Sequence, residues 1–101
     1  MPKKINFGLG DVIAQTRKDK NLLAEEVARK TQISDTYMSL IENSRKKPSI
    51  KTLKRLSKVL GTTPEKLLFA WWRHNNPKKS YNLRQQIGIQ NILKEVLEVI
   101  S

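Results

Sequence analysis

Ser34-Asp-Thr-Tyr-Met-Ser-Leu-Ile-Glu-Asn43, continued by Ser44-Arg-Lys-Lys-Pro-Ser49, is the stretch that organises this chain. The Ser34 hydroxyl can cap free backbone N–H groups at a helix start. Met38 and Ile41, with Ile33 just outside, then form an inward stripe at helical spacing. Thr36, Tyr37, Ser39, Leu40 and Asn43 are left pointing elsewhere, so this short helix carries a largely polar outer face that ends in the cations Arg45, Lys46 and Lys47. Just upstream, Ala24 to Lys30 reads as a second short helix, with Val27 and the small Ala28 on its buried side. Thr31-Gln32-Ile33 is the tight connection between the two. Helix, tight turn, helix and basic loop follow one another in that order.

The elements on either side are also helical. Leu9, Val12, Ile13 and Thr16 recur at helical spacing up to Lys20, and Asn21 can end that helix because Asn tolerates the left-handed conformation. Pro48-Ser49 opens a fourth helix from Ile50 to Leu60, closed by Gly61. Ile50, Leu53, Leu56 and Leu60 face inward there, while Lys51, Lys54, Arg55 and Lys58 share the opposite side. Thr63-Pro64 starts a fifth helix by pairing a threonine cap with proline at the first helical position. Leu67, Leu68 and Trp71 are expected on its core side; Phe69 and Trp72 fall elsewhere, so the helix is apolar almost all round and needs a second covering surface. A polar break at Asn75–Ser80 precedes a sixth helix from Leu83 to Ile100, with Gly88 a point of potential interruption. The expected fold class is all-α: a five-helix domain plus an extra amphipathic C-terminal helix. The expected organisation is 1–74 as the domain, 75–82 as a linker and 83–101 as the final helix.

Composition narrows the partner. The 101 residues, 38% of them hydrophobic, suffice for one small domain. Twenty Lys and Arg against nine Asp and Glu give a formal net charge of +11, which favours a polyanion: DNA, RNA or an anionic membrane surface. Without cysteine there is no disulfide, thiolate metal site or thiol nucleophile. No apolar run approaches the ~20 residues of a membrane span, and Met1-Pro-Lys-Lys-Ile5 lacks the apolar core of a secretory signal. The expectation is a soluble, cytoplasmic protein without a membrane partner. A short helix with a polar face and cations on its C-terminal side suits the major groove of DNA, with phosphates held beside it.

Residues from about Leu9 to Leu68 resemble the phage-repressor-like helix-turn-helix family, the Cro or XRE type. The resemblance rests on Gly10 through Leu22, on Val27-Ala28, and above all on Ile33 through Ser49. Within that last stretch, Tyr37-x-Ser39-x-Ile41-Glu42 with Pro48-Ser49 behind it is the specific signal. It implies a five-helix domain that binds operator DNA, usually as a two-fold symmetric dimer. It also implies an internal ion pair between Arg17 and Glu42. The residues agree, since a Glu at a helix C-terminus opposes the dipole and wants a compensating cation. Departures accompany the match. Leu23-Ala24 stands where the family has a Ser or Thr cap followed by a phosphate-touching Gln. Gln32 takes the place of the turn glycine, and Ser44 stands where Gly is common.

Recognition divides into positioning and reading. For phosphate positioning the candidates are Ser34, Asn43, Arg45, Lys46, Lys47, Lys51 and Lys54; seven cations and no acid lie between Arg45 and Lys58, unlike an ordinary mixed surface. For base reading they are Asp35, Thr36, Tyr37, Ser39 and Leu40. Thr36 and Ser39 can bond several base edges, and Leu40 can touch a thymine methyl. Asp35 favours the helix N-terminus electrostatically or accepts from cytosine N4. Tyr37 either donates to phosphate or packs half-buried. Lys3 and Lys4 form either a DNA-contacting arm or a plain basic terminus. The final helix either completes its own domain or pairs with a second copy. The dimerisation set is Trp71, Trp72, Ile89, Ile92, Leu93, Val96, Leu97 and Ile100.

The function expected is sequence-specific binding of double-stranded DNA by a homodimeric transcriptional regulator. The alternative is an antitoxin or adaptor of the same fold that binds a partner protein. An enzyme is not expected, nor a metal or cofactor: the single histidine, His74, has no nucleophile beside it, and the acids are dispersed.

Overall fold

The computed structural model describes residues 8–75 and 82–100, with side-chain surroundings described for 8–74 and 82–95. Every regular element among them is a helix: α1 (Leu9–Asp19), α2 (Ala24–Thr31), α3 (Asp35–Glu42), α4 (Ile50–Val59), α5 (Pro64–Asn75) and α6 (Leu83–Ile100). The all-α expectation holds, and α6 runs unbroken through Gly88. Lys3 and Lys4, and most of the 75–82 linker, lie outside the described residues.

The start and stop signals act locally as their chemistry requires. Ser34 Oγ accepts from Tyr37 N at 3.0 Å, and Ser49 Oγ from Thr52 N at 3.1 Å, so α3 and α4 begin on satisfied donors. Thr63 Oγ1 accepts from Lys66 N at 3.2 Å in the same way. Helix α2 begins differently: Leu23 occupies its cap position without a side-chain bond and is 62% exposed. The turn between α2 and α3 is left-handed at Gln32 (φ 64°, ψ 42°), the geometry a glycine would adopt without strain. Asn21 and Ser44 are left-handed as well.

Val12, Ile13, Val27, Ala28, Met38, Ile41, Leu53, Leu56, Leu60 and Leu67 form one buried cluster drawn from α1 to α5. Helix α1 crosses the end of α3 so closely that a side chain at Gly10 would strike the carbonyls of Ile41 and Glu42. That close approach requires glycine, and it seats the C-terminal end of α3 on α1. Thr31, on α2, is buried with its hydroxyl unpaired among the described residues.

Helix α5 departs from the sequence expectation. Leu67 does enter the core, but Phe69 is also buried, outside the main cluster, and Trp71 is exposed. Phe69 and Trp72 stand one turn apart with ring centroids 6.4 Å from each other. The second surface that this all-round apolar helix needs is α6, which packs against α5.

Candidate nucleic-acid interface

Helix α3 presents one outward face. Asp35, Thr36, Ser39 and Asn43 are exposed and Leu40 is half-buried, whereas Met38 and Ile41 are buried. The face exists because α3 is gripped from behind and at both ends. Ser34 caps its start. At its far end Arg17 Nε donates to Glu42 Oε2 at 2.7 Å, and Arg17 Nη2 donates to Glu42 Oε1 at 3.0 Å. Arg17 Nη1 also donates to the Leu22 carbonyl at 2.8 Å, tying in the α1–α2 connection. Both partners of this fork are 12% exposed, and the hydrogen bonds to Glu42, ahead of its charge, raise the Arg17 pKa against the opposing effect of burial.

Asn43 is turned back on its own helix. Its Nδ2 donates to the Ser39 carbonyl at 2.9 Å and approaches Ser39 Oγ at 3.3 Å. Tyr37 is half-buried against the core cluster, and the Lys46 ammonium sits 5.2 Å from its ring centroid. The tyrosine thus packs inward with its ring, and it also holds a cation beside α3.

The cations named from sequence are all at the surface. Arg45, Lys46 and Lys47, in the loop that directly follows α3, and Lys51 and Lys54, on α4, are all exposed. The loop folds back through bonds from Arg45 N and Lys46 N to the Leu40 carbonyl at 2.9 and 3.2 Å. Those bonds hold the positive side chains at the edge of the outward face.

The other edge of α3 has the opposite character. A groove there is lined by Asp35, Ser39, Glu42 and Asn43 of α3 and its C-cap, by Asp11, Ala14 and Lys18 of α1, and by Ala24 and Glu25 at the start of α2. Four carboxylates meet one lysine. Sequence reasoning noted the missing Gln at Ala24 but not this acidic flank. Its carboxylates come from α1, α2 and α3, so no single stretch of sequence signals it. A second, apolar groove joins Leu9, Ile41, Pro48, Leu68 and Trp71, with Lys46 and Lys47 at its rim.

The named dimerisation residues are spread over two helices. Ile89 and Leu93 are half-buried on α6, Ile92 is 60% exposed, and the side chains of Val96, Leu97 and Ile100 lie outside the described set. Trp71 is 37% exposed and Trp72 half-buried. No helix among the described residues is long and apolar enough to cross a membrane, and no group of three potential metal ligands occurs among them.

A buried-backed short helix, entered through a tight turn from another and flanked by cations, defines a helix-turn-helix protein. A family model described as helix-turn-helix matches residues 13–67, and the chain belongs to that family. It is 47% identical over 49 residues to the ImmF control region 10 kDa protein of Bacillus phage phi105, a match covering 48% of this chain and 54% of that protein. The matched segment thus spans about half of the phage relative's length. It is 33% identical over 60 residues to an HTH-type transcriptional regulator of Sinorhizobium fredii, y4dJ, covering 59% of this chain and 78% of that one. Among solved structures, the biofilm master regulator SinR in complex with DNA is similar at 35% identity with a TM-score of 0.57. That likeness covers 60% of this chain and 98% of the SinR chain.

Proposed function

We propose that this chain is a sequence-specific, double-stranded-DNA-binding transcriptional regulator that acts as a homodimer on a two-fold symmetric operator. The observation that carries this reading is the juxtaposition on α3 and its flank. An outward face of exposed Asp35, Thr36 and Ser39 with half-buried Leu40 is followed in the chain by the exposed cations Arg45, Lys46, Lys47, Lys51 and Lys54. A helix of this width fits the major groove, and cations on one edge meet the phosphate rail. The DNA complex of SinR, similar over 60% of this chain, supports the same partner. Ser34 contributes through the α3 N-terminus, where helix dipole and free N–H groups favour a phosphate. Asn43 reaches phosphate only with the donor and acceptor capacity that Ser39 leaves unused.

In this reading residues 1–74 bind DNA and residues 83–101 pair two chains, with Trp71 and Trp72 at the same contact. Leu83 and Ile87, exposed one turn apart on α6, and Ile92, exposed on another side of it, support apolar contacts with a second chain. Pairing would set two reading helices about 34 Å apart, one turn of DNA. The protein would then work in the cytoplasm, associated with DNA. The exposed α6 residues equally support a second reading, in which the same helix binds a different protein, as an antitoxin or adaptor does.

Selection of bound sequences from a random duplex pool, with sedimentation analysis of the complex, tests the proposal. A two-fold symmetric consensus bound by two chains is the expected result. Equal affinity for all sequences would remove the regulator reading, and a stable 1:1 complex with a co-purified small protein would favour the second.

A further inference from the structure

The hydrogen-bond states on the outward face of α3 carry the proposed function further, to the bases themselves. We infer that each operator half-site presents a cytosine to Asp35 and, about two base pairs along, a thymine methyl to Leu40. This rests on the DNA-reading role proposed above.

Asp35 is exposed and has no hydrogen-bond or ion-pair partner among the described residues. The start of α3 is already capped by Ser34, so the carboxylate is not used up as a cap. The groove it lines adds Asp11, Glu25 and Glu42 and a single lysine, Lys18. Glu42 is committed to Arg17. A carboxylate in such surroundings accepts only, and it must find a donor on a base edge or lose its hydration for nothing. The major groove offers two such donors, cytosine N4 and adenine N6. On adenine the donor sits beside the N7 acceptor, whose lone pair opposes the second carboxylate oxygen. Cytosine has no acceptor there, so cytosine is favoured.

Ser39 lies one helical turn further on. Its oxygen is approached by the Asn43 amide, which leaves its own hydrogen to be donated to a base acceptor. The same contact, with the bond to the Ser39 carbonyl, withdraws Asn43 from a bidentate adenine contact. Leu40 has only apolar surface to offer, and the thymine methyl is the apolar group of the major groove. Thr36 and Leu40 are also one turn apart. From Asp35 to Leu40 the five residues rise roughly 7.5 Å along the helix, close to two base-pair steps of ~3.4 Å.

The test compares sequences selected from a random duplex pool by the unaltered chain, by Asp35→Asn and by Leu40→Ala. The unaltered chain should enrich a C·G pair and an A·T pair two steps apart in each half-site. Asp35→Asn should shift the first position to adenine, with the cytosine operator losing about ten-fold or more in affinity. Leu40→Ala should flatten the second position only. Replacing the selected thymine by uracil tests the methyl without altering the protein. It should weaken the unaltered chain roughly three- to five-fold and leave Leu40→Ala unmoved. A symmetric consensus that is unchanged by Asp35→Asn, or a uracil effect equal in both proteins, overturns this inference while leaving the regulator reading intact. A pool with no enriched sequence overturns both.

Discussion

Arg17 and Glu42 are joined by two parallel hydrogen bonds, Nε to Oε2 at 2.7 Å and Nη2 to Oε1 at 3.0 Å, across the junction of α1 with the end of α3. With the third bond to the Leu22 carbonyl, the guanidinium fixes three segments at once. Both side chains are mostly covered, so removing one strands the other. Arg17→Met or Glu42→Leu alone should destabilise the fold toward the lower end of the ~3–5 kcal/mol range for buried pairs, the pair being partly wetted. The double variant should cost less than the sum, which a double-mutant cycle by chemical denaturation measures. The Arg17 pKa is raised in the folded chain, chiefly by its bonds to Glu42. Its contribution is therefore complete below the unfolded arginine value and is lost only as pH rises through the higher folded one. Arginine titration should thus cause no loss of stability between neutrality and about pH 10.

Thr31 is buried at the end of α2 with a hydroxyl unpaired among the described residues. An unsatisfied buried hydroxyl costs stability, and valine keeps the branched shape while removing it. Thr31→Val should stabilise by about 1 kcal/mol, seen as a rise in Tm of about 4–8 °C by calorimetry. A fall in Tm would show that the hydroxyl is satisfied in solution.

Much of this fold is legible in single residues because helix ends are chemically marked. Ser34, Ser49 and Thr63-Pro64 each signal a start, and the structure places a side-chain cap at each. Pairing Arg17 with Glu42 was legible through family resemblance and the dipole argument, and the observed fork agrees. The sides of α5 were not legible. Periodicity selects a buried face only where polar residues mark the other, and Leu67 to Trp72 offers no such contrast. The partners that decide it, α1, α4 and α6, are set only by tertiary packing. The acidic groove beside α3 was missed for the same reason: Asp11, Glu25 and Asp35 come together only when three helices pack.

Gln32 holds a left-handed backbone at the turn between α2 and α3, and its side chain is exposed. The steric cost of that conformation disappears with glycine, while the unfolded chain gains some freedom. Gln32→Gly should therefore stabilise by about 0.5–1 kcal/mol. Gln32→Ala, which keeps the Cβ, should give no gain. Denaturant melts of the two variants separate turn strain from any loss of side-chain contact.

The α3–α4 loop and α4 should supply most of the salt dependence of DNA binding. Arg45, Lys46, Lys47, Lys51 and Lys54 are all exposed. If all five meet phosphates, log K should fall with log salt at a slope of about −4 to −5. Neutralising Lys46 and Lys47 to Gln should flatten that slope by about 1.8 and weaken all sequences alike, since phosphates carry no base identity. Lys46 differs from its neighbour because the Tyr37 ring holds its ammonium at 5.2 Å. Tyr37→Phe keeps that ring and should preserve the slope, whereas Tyr37→Leu removes it and should weaken binding without changing which sequence is preferred. Fluorescence anisotropy across a salt series distinguishes these outcomes. A changed preference in Tyr37→Leu would instead make the tyrosine a base reader.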